Sequence, residues 1–250
     1  MIVLLLHTKY GIIPEGGEEF MRIHGFQKMT MLDFPGKVAC TIFTAGCNFR
    51  CPFCHNSPLV TKINAADEYR TEDIFAYLRQ RRGILDGVAV TGGEPLLTDG
   101  VFDFMKRVKD IGLAVKLDTN GSFPERLRKA VDLGLVDYVA MDVKNSFIKY
   151  AMTAGIPNLD LAPIKESISY LLEDNVDYEF RTTIIKEFHT VRDIQEIGIA
   201  IKGAKRYFLQ NFVDSGELIS PGLSAVTPSY MKELQKAAEE FVQKVQIRGI

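Results

Sequence analysis

The sequence predicts an α/β fold built on a parallel sheet. From residue 38 onward, short apolar, β-rich runs alternate with longer segments of helical period. A regular βα order is the mark of parallel strands joined by crossover helices. The strand cores are also nearly continuous apolar runs, as expected where helices cover one face of a sheet and a packed interior covers the other. No linker-like break, low-complexity run or strong repeat divides the chain.

The elements follow in order. VACTIF, 38 to 43, is the first strand, and a cysteine-rich loop comes after it. Thr71 is placed to cap a helix running to about Leu85, with Glu72 and Asp73 in its first turn. GVAV, 87 to 90, is the next strand and ends in TGGEP. VFDFMKRVKDIG reads as a helix with Gly112 as its stop. AVKLDT is a strand that ends at the turn signal Asn120-Gly121. PERLRKAVDLG is a helix with Pro124 near its first position and Gly134 after it. YVAMDVK, 138 to 144, is a strand, and residues 163 to 174 are helical. YEFRTTII, 178 to 185, is a strand, then residues 191 to 202 a helix and RYFLQNF, 206 to 212, a strand. Ser229 is placed to cap a last helix running to about Val245. This makes six strands, each followed by a helix. Pattern alone leaves a doubly wound sheet and a partial barrel both open.

Composition narrows the function. A net charge of -2 over 250 residues lacks the basic excess of a nucleic-acid or membrane-surface binder. No apolar run is long enough to span a bilayer. MIVLLLH is too short for a signal-peptide core and has no cationic segment before it. A cytoplasmic protein is expected. Residues 11 to 20 hold Pro14, Gly16 and Gly17 with no clear period, whereas Met21 opens a stretch that runs smoothly into the first strand. Residues 16 to 19, read as codons, also resemble a ribosome-binding sequence. Met21 is therefore expected to be the physiological start, with residues 1–21 an N-terminal extension and 22–250 a single domain. A peptide spanning residues 12 to 20 in the native protein would rule this out.

Polar groups gather at one end of the strands. Gly92-Gly93-Glu94, Asp118-Thr119-Asn120, Asp142 with Lys144, Arg181, and Gln210-Asn211 all lie at or near strand C-termini. In barrels that end carries the chemistry. Arg181, between Phe180 and Thr182 in an apolar strand, should face the mouth, where a charge is costly unless paired. Gln210 and Asn211 are candidates to face a cofactor or an incoming peptide.

The cysteine loop, CNFRCPFCHN from 47 to 56, places Cys47, Cys51 and Cys54 within eight residues. Such a cluster in a reducing compartment reads as metal binding or redox chemistry, not as a disulfide framework. Zinc would need a fourth ligand from His55 or Cys40. His55 adjoins Cys54, which makes one tetrahedron awkward, and Cys40 sits inside a strand as a small hydrophobe. A four-iron cluster normally takes four thiolates. With three, one iron stays open to a reacting molecule.

Cys-x3-Cys-x2-Cys after the first strand resembles the signature of the radical S-adenosylmethionine family. TGGEP after the second strand resembles that family's methionine-binding turn. CPFCHN, GVAVTGGEPL, KLDTNG, VDYVAMDVK, EFRTT and FLQNF together resemble the activating enzymes of glycyl-radical proteins. The branch most resembled is the longer form of the anaerobic ribonucleoside-triphosphate reductase activating protein, over about residues 22 to 250. The resemblance implies a partial (β/α)6 barrel of the TIM type, with the cluster loop after the first strand. It implies a [4Fe-4S] cluster on Cys47, Cys51 and Cys54 and S-adenosylmethionine chelated at the open iron. Reductive cleavage of the sulfonium would give a 5′-deoxyadenosyl radical, which takes an α-hydrogen from a glycine of a partner enzyme.

The same resemblance implies site roles. Phe53 matches the position that packs on adenine, and His55 and Asn56 shape the cluster loop. Gly92 and Gly93 let backbone approach the methionine amino group, while Glu94 accepts from it or offsets its charge. Asp118 matches a family residue near that group, Asp142 and Lys144 match the family's DxK segment, with Lys144 suited to the methionine carboxylate, and Asn120, Arg181 and Gln210 are further cofactor-binding candidates. Where pyruvate formate-lyase activating relatives carry a histidine, this chain has Phe212. The implied partners are a glycyl-radical enzyme, anaerobic ribonucleoside-triphosphate reductase in particular, and a flavodoxin or ferredoxin as electron donor, with no nucleic acid and no membrane. Two alternatives stand beside this reading. One is a radical enzyme acting on a pterin-like small molecule, with its pocket closed by the C-terminal segment. The other is a zinc-stabilised binding module.

Overall fold

A computed structural model describes residues 21–98 and 100–249. The expectation for residues 1–20 lies outside the described residues. The chain order is β1 (Ile23–Thr30), β2 (Ala39–Thr44), α1 (Pro58–Thr61), α2 (Thr71–Gln80), β3 (Gly87–Gly92), α3 (Gly100–Asp110), β4 (Ala114–Thr119) and α4 (Pro124–Asp132). It continues with β5 (Tyr138–Asp142), α5 (Tyr150–Ala154), α6 (Ala162–Leu172), β6 (Asp177–Ile184), α7 (Val191–Ala200), β7 (Tyr207–Asn211), α8 (Pro228–Glu239) and β8 (Val245–Arg248). The strands form one sheet in the order β1 to β8. β1 runs antiparallel to β2, and every later pair is parallel. No described helix is long and apolar enough to cross a membrane.

The two faces of the sheet explain the strand sequences. Val115 and Leu117 of β4 are fully buried in the apolar layer shared with residues such as Phe104, Met105 and Leu127 of the covering helices. Lys116 and Asp118 alternate with them and line an interior cavity together with Glu179, Arg181, Gln210 and Arg248. Side chains two apart share a face. The sheet therefore wraps around a charged interior, as a partial barrel does. Among the described residues nothing pairs β8 with β1, so their sheet is not closed into a full barrel.

Several boundaries differ from the sequence reading. The described residues form eight strands, not six, and the cysteine loop follows β2, which is the first strand of the parallel set. β1 (IHGFQKMT) is a half-solvated edge with Gly25 inside it, so it shows neither a continuous apolar run nor clean alternation. The last helix stops at Glu239 instead of Val245. Past it, Gln243 N donates to Ala204 O (3.0 Å) and Lys244 O accepts from Tyr207 N (2.9 Å), which draws Val245–Arg248 onto β7. Arg248 then reaches inward and pairs bidentately with the fully buried Glu179 (2.9 and 3.0 Å), which also accepts from Tyr138 Oη (2.8 Å). That fork anchors a four-residue strand. The cap of α8 is Thr227, whose hydroxyl accepts from Tyr230 N (3.3 Å), with Pro228 at the first helical position; Ser229 only meets the Thr227 hydroxyl. Thr71 is the first helical residue of α2 and not its cap, and the helix ends at Gln80 ahead of Gly83 (φ +82°).

Candidate functional site

The site begins where β2 and β3 end side by side. Gly93 N donates to Thr44 O (2.9 Å) and Glu94 N to Gly46 O (2.8 Å), so the TGGEP turn is stitched to the start of the cysteine loop. A Cβ on Gly93 would lie 1.8 Å from Gly46 O, and one on Gly92 2.3 Å from Thr44 N. Gly92 also has φ +119°. The two glycines are thus demanded by the protein's own backbone, whatever ligand approaches them. Asn56 adds a side-chain tie, its Nδ2 donating to Gly92 O (3.2 Å).

Cys47, Cys51 and Cys54 line one cavity of about 220 Å³. Phe53, His55 and Asn56 lie on the same wall, Gly92 and Gly93 on the next, and Asp118, Asn120, Asp142, Lys144, Arg181 and Gln210 complete it. Among the described residues, no three His, Cys, Asp or Glu side chains converge on a point that would hold a single metal ion. Burial pushes the Cys47 thiol up to about 12, helped by the nearby Glu94 carboxylate. Burial likewise pushes Cys51 up to about 11, against the pull of Lys144. As free thiols both would hold their protons at neutral pH; a cationic ligand would be needed to make them thiolates. Cys40 is fully buried in β2, away from this cavity.

The facing wall is a ladder of charges. Lys116 Nζ donates to Asp118 Oδ1, Arg181 Nη1 to Asp118 Oδ2 (3.1 Å), Arg181 Nε to Asp142 Oδ1 (2.8 Å) and Lys144 Nζ to Asp142 Oδ2 (3.0 Å). Three cations against two carboxylates leave a net charge of +1. Burial pushes the Asp142 carboxyl up, but Arg181 and Lys144 outweigh it and hold it far below the carboxylate range. Burial would lower Lys144, yet Asp142 and then Cys51 raise it above an ordinary lysine. Both groups stay charged at neutral pH.

Two expected residues lie elsewhere. Glu94 is 1% exposed and does not line the cavity. Its Oε1 accepts from Leu96 N (3.1 Å) and Thr119 Oγ1 (2.8 Å), and its Oε2 from Asn120 N (2.7 Å). It braces the end of β4 against the TGGEP turn from behind. Asn211 exchanges hydrogen bonds with Val226 (3.1 and 3.2 Å) and holds the chain after β7. That chain crosses the cysteine loop, where Ser220 N donates to Pro52 O (3.0 Å) and Ser57 Oγ to Glu217 O. Phe212 is buried and stacks on His55, with centroids 5.7 Å apart. Burial lowers the pKa of His55 and favours its neutral ring. Thr91, the first residue of the TGGEP turn, also lines the cavity, as does Thr183, which the sequence pattern did not single out. Thr183 follows Arg181 by two residues, so strand alternation would have found it.

Residues 41–198, more than half of the chain, match the model of the Radical SAM superfamily. The chain belongs to the Radical SAM superfamily, and within it to the glycyl-radical enzyme activating enzymes. It is 31% identical over 235 residues to a Methanocaldococcus jannaschii protein named "Putative glycyl-radical enzyme activating enzyme", covering 91% of this chain and 96% of that one. It is 30% identical over 157 residues to the pyruvate formate-lyase-activating enzyme of Listeria monocytogenes, covering 56% of this chain and 62% of that one. Among solved structures, a domain of pyruvate-formate lyase-activating enzyme from Bacteroides vulgatus superposes with TM-score 0.52 at 18% identity, covering 65% of this chain and 99% of that one. SuiB of Streptococcus suis gives TM-score 0.62 at 14% identity, covering 82% and 47%. These two likenesses bear on the fold alone.

Proposed function

We propose that this protein cleaves S-adenosylmethionine reductively at a [4Fe-4S] cluster and takes a glycine α-hydrogen from a glycyl-radical enzyme. The donor set fits such a cluster. Three thiols line one cavity, and a four-iron cluster takes its thiolate ligands on separate irons. When bound, the cluster supplies the electron that breaks the sulfonium carbon–sulfur bond. Cys47, Cys51 and Cys54 would hold it. Lys144, with one hydrogen-bond partner among the described residues, has donors left for the methionine carboxylate. Phe53, 5% exposed at the cavity wall, offers an aromatic surface for adenine. The family implies both cofactors.

The observation that carries the protein-substrate reading is that, among the described residues, the sheet is unclosed between β1 and β8, with an interior cavity of about 470 Å³ lined by Leu32 and Asp33 on one side and Arg248 and Gly249 on the other. A substrate held by another protein must enter as a chain, and an unclosed sheet admits one. For a pterin-like small molecule, a C-terminal segment closing the site would be expected; the chain after β7 does cross the cysteine loop, and Arg248 and Gly249 line the interior cavity, which is the observation that favours this second reading. The particular partner we propose is anaerobic ribonucleoside-triphosphate reductase, on the strength of the sequence motifs. The relatives named for pyruvate formate-lyase make that protein the competing partner. The test incubates the reconstituted, reduced protein and cofactor with each purified reductase or lyase, and records electron paramagnetic resonance spectra. A glycyl doublet on the reductase is expected. A doublet on the lyase alone overturns the partner, and none on either overturns the protein-substrate reading.

A further inference from the structure

The cysteine-lined cavity and the interior one share three lining side chains, Asp118, Arg181 and Gln210. Two of the three are committed. Asp118 has one oxygen on Lys116 and the other on Arg181, and Arg181 is held between Asp118 and Asp142. The side-chain amide of Gln210 has no hydrogen-bond partner among the described residues, and it is half-buried. Its place is set by the sheet, opposite Thr183 of β6 and Arg248 of β8. Asn211, one residue on, faces away and is taken up by Val226.

We propose that Gln210 is the positioning residue for the hydrogen-donating chain, pairing its amide with a peptide group of the glycine beside the lining that the two cavities share. This rests on the protein-substrate reading above and assigns Gln210 to the substrate instead of the cofactor. Glycine has no side chain, so only its peptide N–H and C=O groups can fix which α-hydrogen points at the 5′-carbon. A primary amide carries two donors and an acceptor oxygen and can answer both. It is also neutral, so it adds no charge beside the Asp118–Arg181 pair. In the step it would serve, a glycine Cα–H bond breaks homolytically. The hydrogen atom joins the 5′-carbon, leaving 5′-deoxyadenosine and a glycyl radical. The electron that made the 5′-radical comes from an external one-electron reductant. Transfer of this kind depends on holding the reacting atoms near contact, so a lost orienting bond appears in coupling.

The test uses the reconstituted full chain, dithionite, S-adenosylmethionine and a capped alanine peptide with one α,α-dideuterated glycine. The readout is the deuterium carried per 5′-deoxyadenosine formed, which is independent of the amount of cleavage. Wild-type protein should transfer deuterium in a peptide-dependent way, since the probe offers backbone alone. In Gln210→Met the peptide concentration for half-maximal labelling should rise about tenfold, the loss of one or two hydrogen bonds at a desolvated site. The cofactor concentration for half-maximal cleavage should move less than about twofold. Gln210→Glu, which keeps size and polarity but loses the donors, should shift the peptide dependence in the same direction. A shift confined to the cofactor dependence would return Gln210 to the cofactor and overturn the proposal. Labelling unchanged in both variants would overturn it too, while leaving the glycine reading intact. Wild-type cleavage with no label at any peptide concentration would overturn backbone recognition and with it the assignment.

Discussion

Two polar networks adjoin at the end of β5, and they are built on opposite principles. Asp118, Arg181, Asp142 and Lys144 of the charge ladder line the cysteine cavity, and the ladder ends in a lysine with donors to spare. One residue further on, a second network begins and closes on itself. Asn145 Nδ2 donates to Thr153 Oγ1 (2.9 Å), Ser146 Oγ to Asp193 Oδ1 (3.0 Å) and Lys149 Nζ to Asp193 Oδ2 (2.6 Å). Thr190 and Asp193 complete a capping box at the start of α7. His189 is held as one neutral tautomer, its Nδ1 accepting from Ile185 N (3.0 Å) and its Nε2 bonding Lys144 O (2.9 Å). None of these groups lines the cavity. Both networks are buried and rich in polar atoms, so burial alone does not separate site from scaffold. What separates them is whether the donors and acceptors are used up.

That difference sets the expected size of substitutions. Arg181→Met should cost the most. It strands Asp118 and Asp142 near one another with a single lysine each, and removing one partner of a buried ion pair costs about 3–5 kcal/mol. Urea unfolding measures it, and a loss below about 1 kcal/mol would show that the ladder is solvated. Asp193→Asn should come next. The Asp193 carboxyl, raised by burial but lowered more by Lys149 and Thr190, sits at about 2 against an ordinary 3.8. That gap corresponds to about 2 kcal/mol at neutral pH. S-adenosylmethionine affinity should not follow; a large fall in affinity at unchanged stability would erase the distinction between the networks.

Lys144→Met should invert that pattern. Asp142 keeps its bond to Arg181, so stability should fall by only about 1 kcal/mol. Cofactor affinity should fall about tenfold or more, a loss near 1.4 kcal/mol, measurable by equilibrium dialysis of the reconstituted protein. The smallest effect is on pH. The pKa of His189 is lowered in the fold by burial. Its contribution to stability is therefore present above the ordinary histidine value and is lost as pH falls below it. Asp193 adds to that loss only between about 3.8 and 2. His189→Gln should flatten the first part of the acid limb and leave the second.

The parts of the fold and site written in local pattern were legible. Parallel strands with apolar outer faces and the three-cysteine spacing need no long-range information. The parts set by tertiary pairing were not. β8 exists because Lys244 O meets Tyr207 N and Arg248 meets Glu179, and neither contact shows in VQIR. Glu94 reads as a cavity carboxylate, but its three donors come from Leu96, Thr119 and Asn120, two of them in another strand or just past it. Gly92 and Gly93 read as room for a ligand, and the neighbour that needs the room is the Thr44–Gly46 backbone. Sequence placed these residues at the right end of the right strands and could not say which way each faced.

A cysteine cavity that performs reductive cleavage must release 5′-deoxyadenosine. The most direct measurement is 5′-deoxyadenosine formed by the anaerobically reconstituted protein with dithionite and S-adenosylmethionine, beside Cys51→Ala. Product is expected from the wild type and essentially none from the variant. A protein that binds zinc in place of an iron–sulfur cluster and yields no product would contradict it.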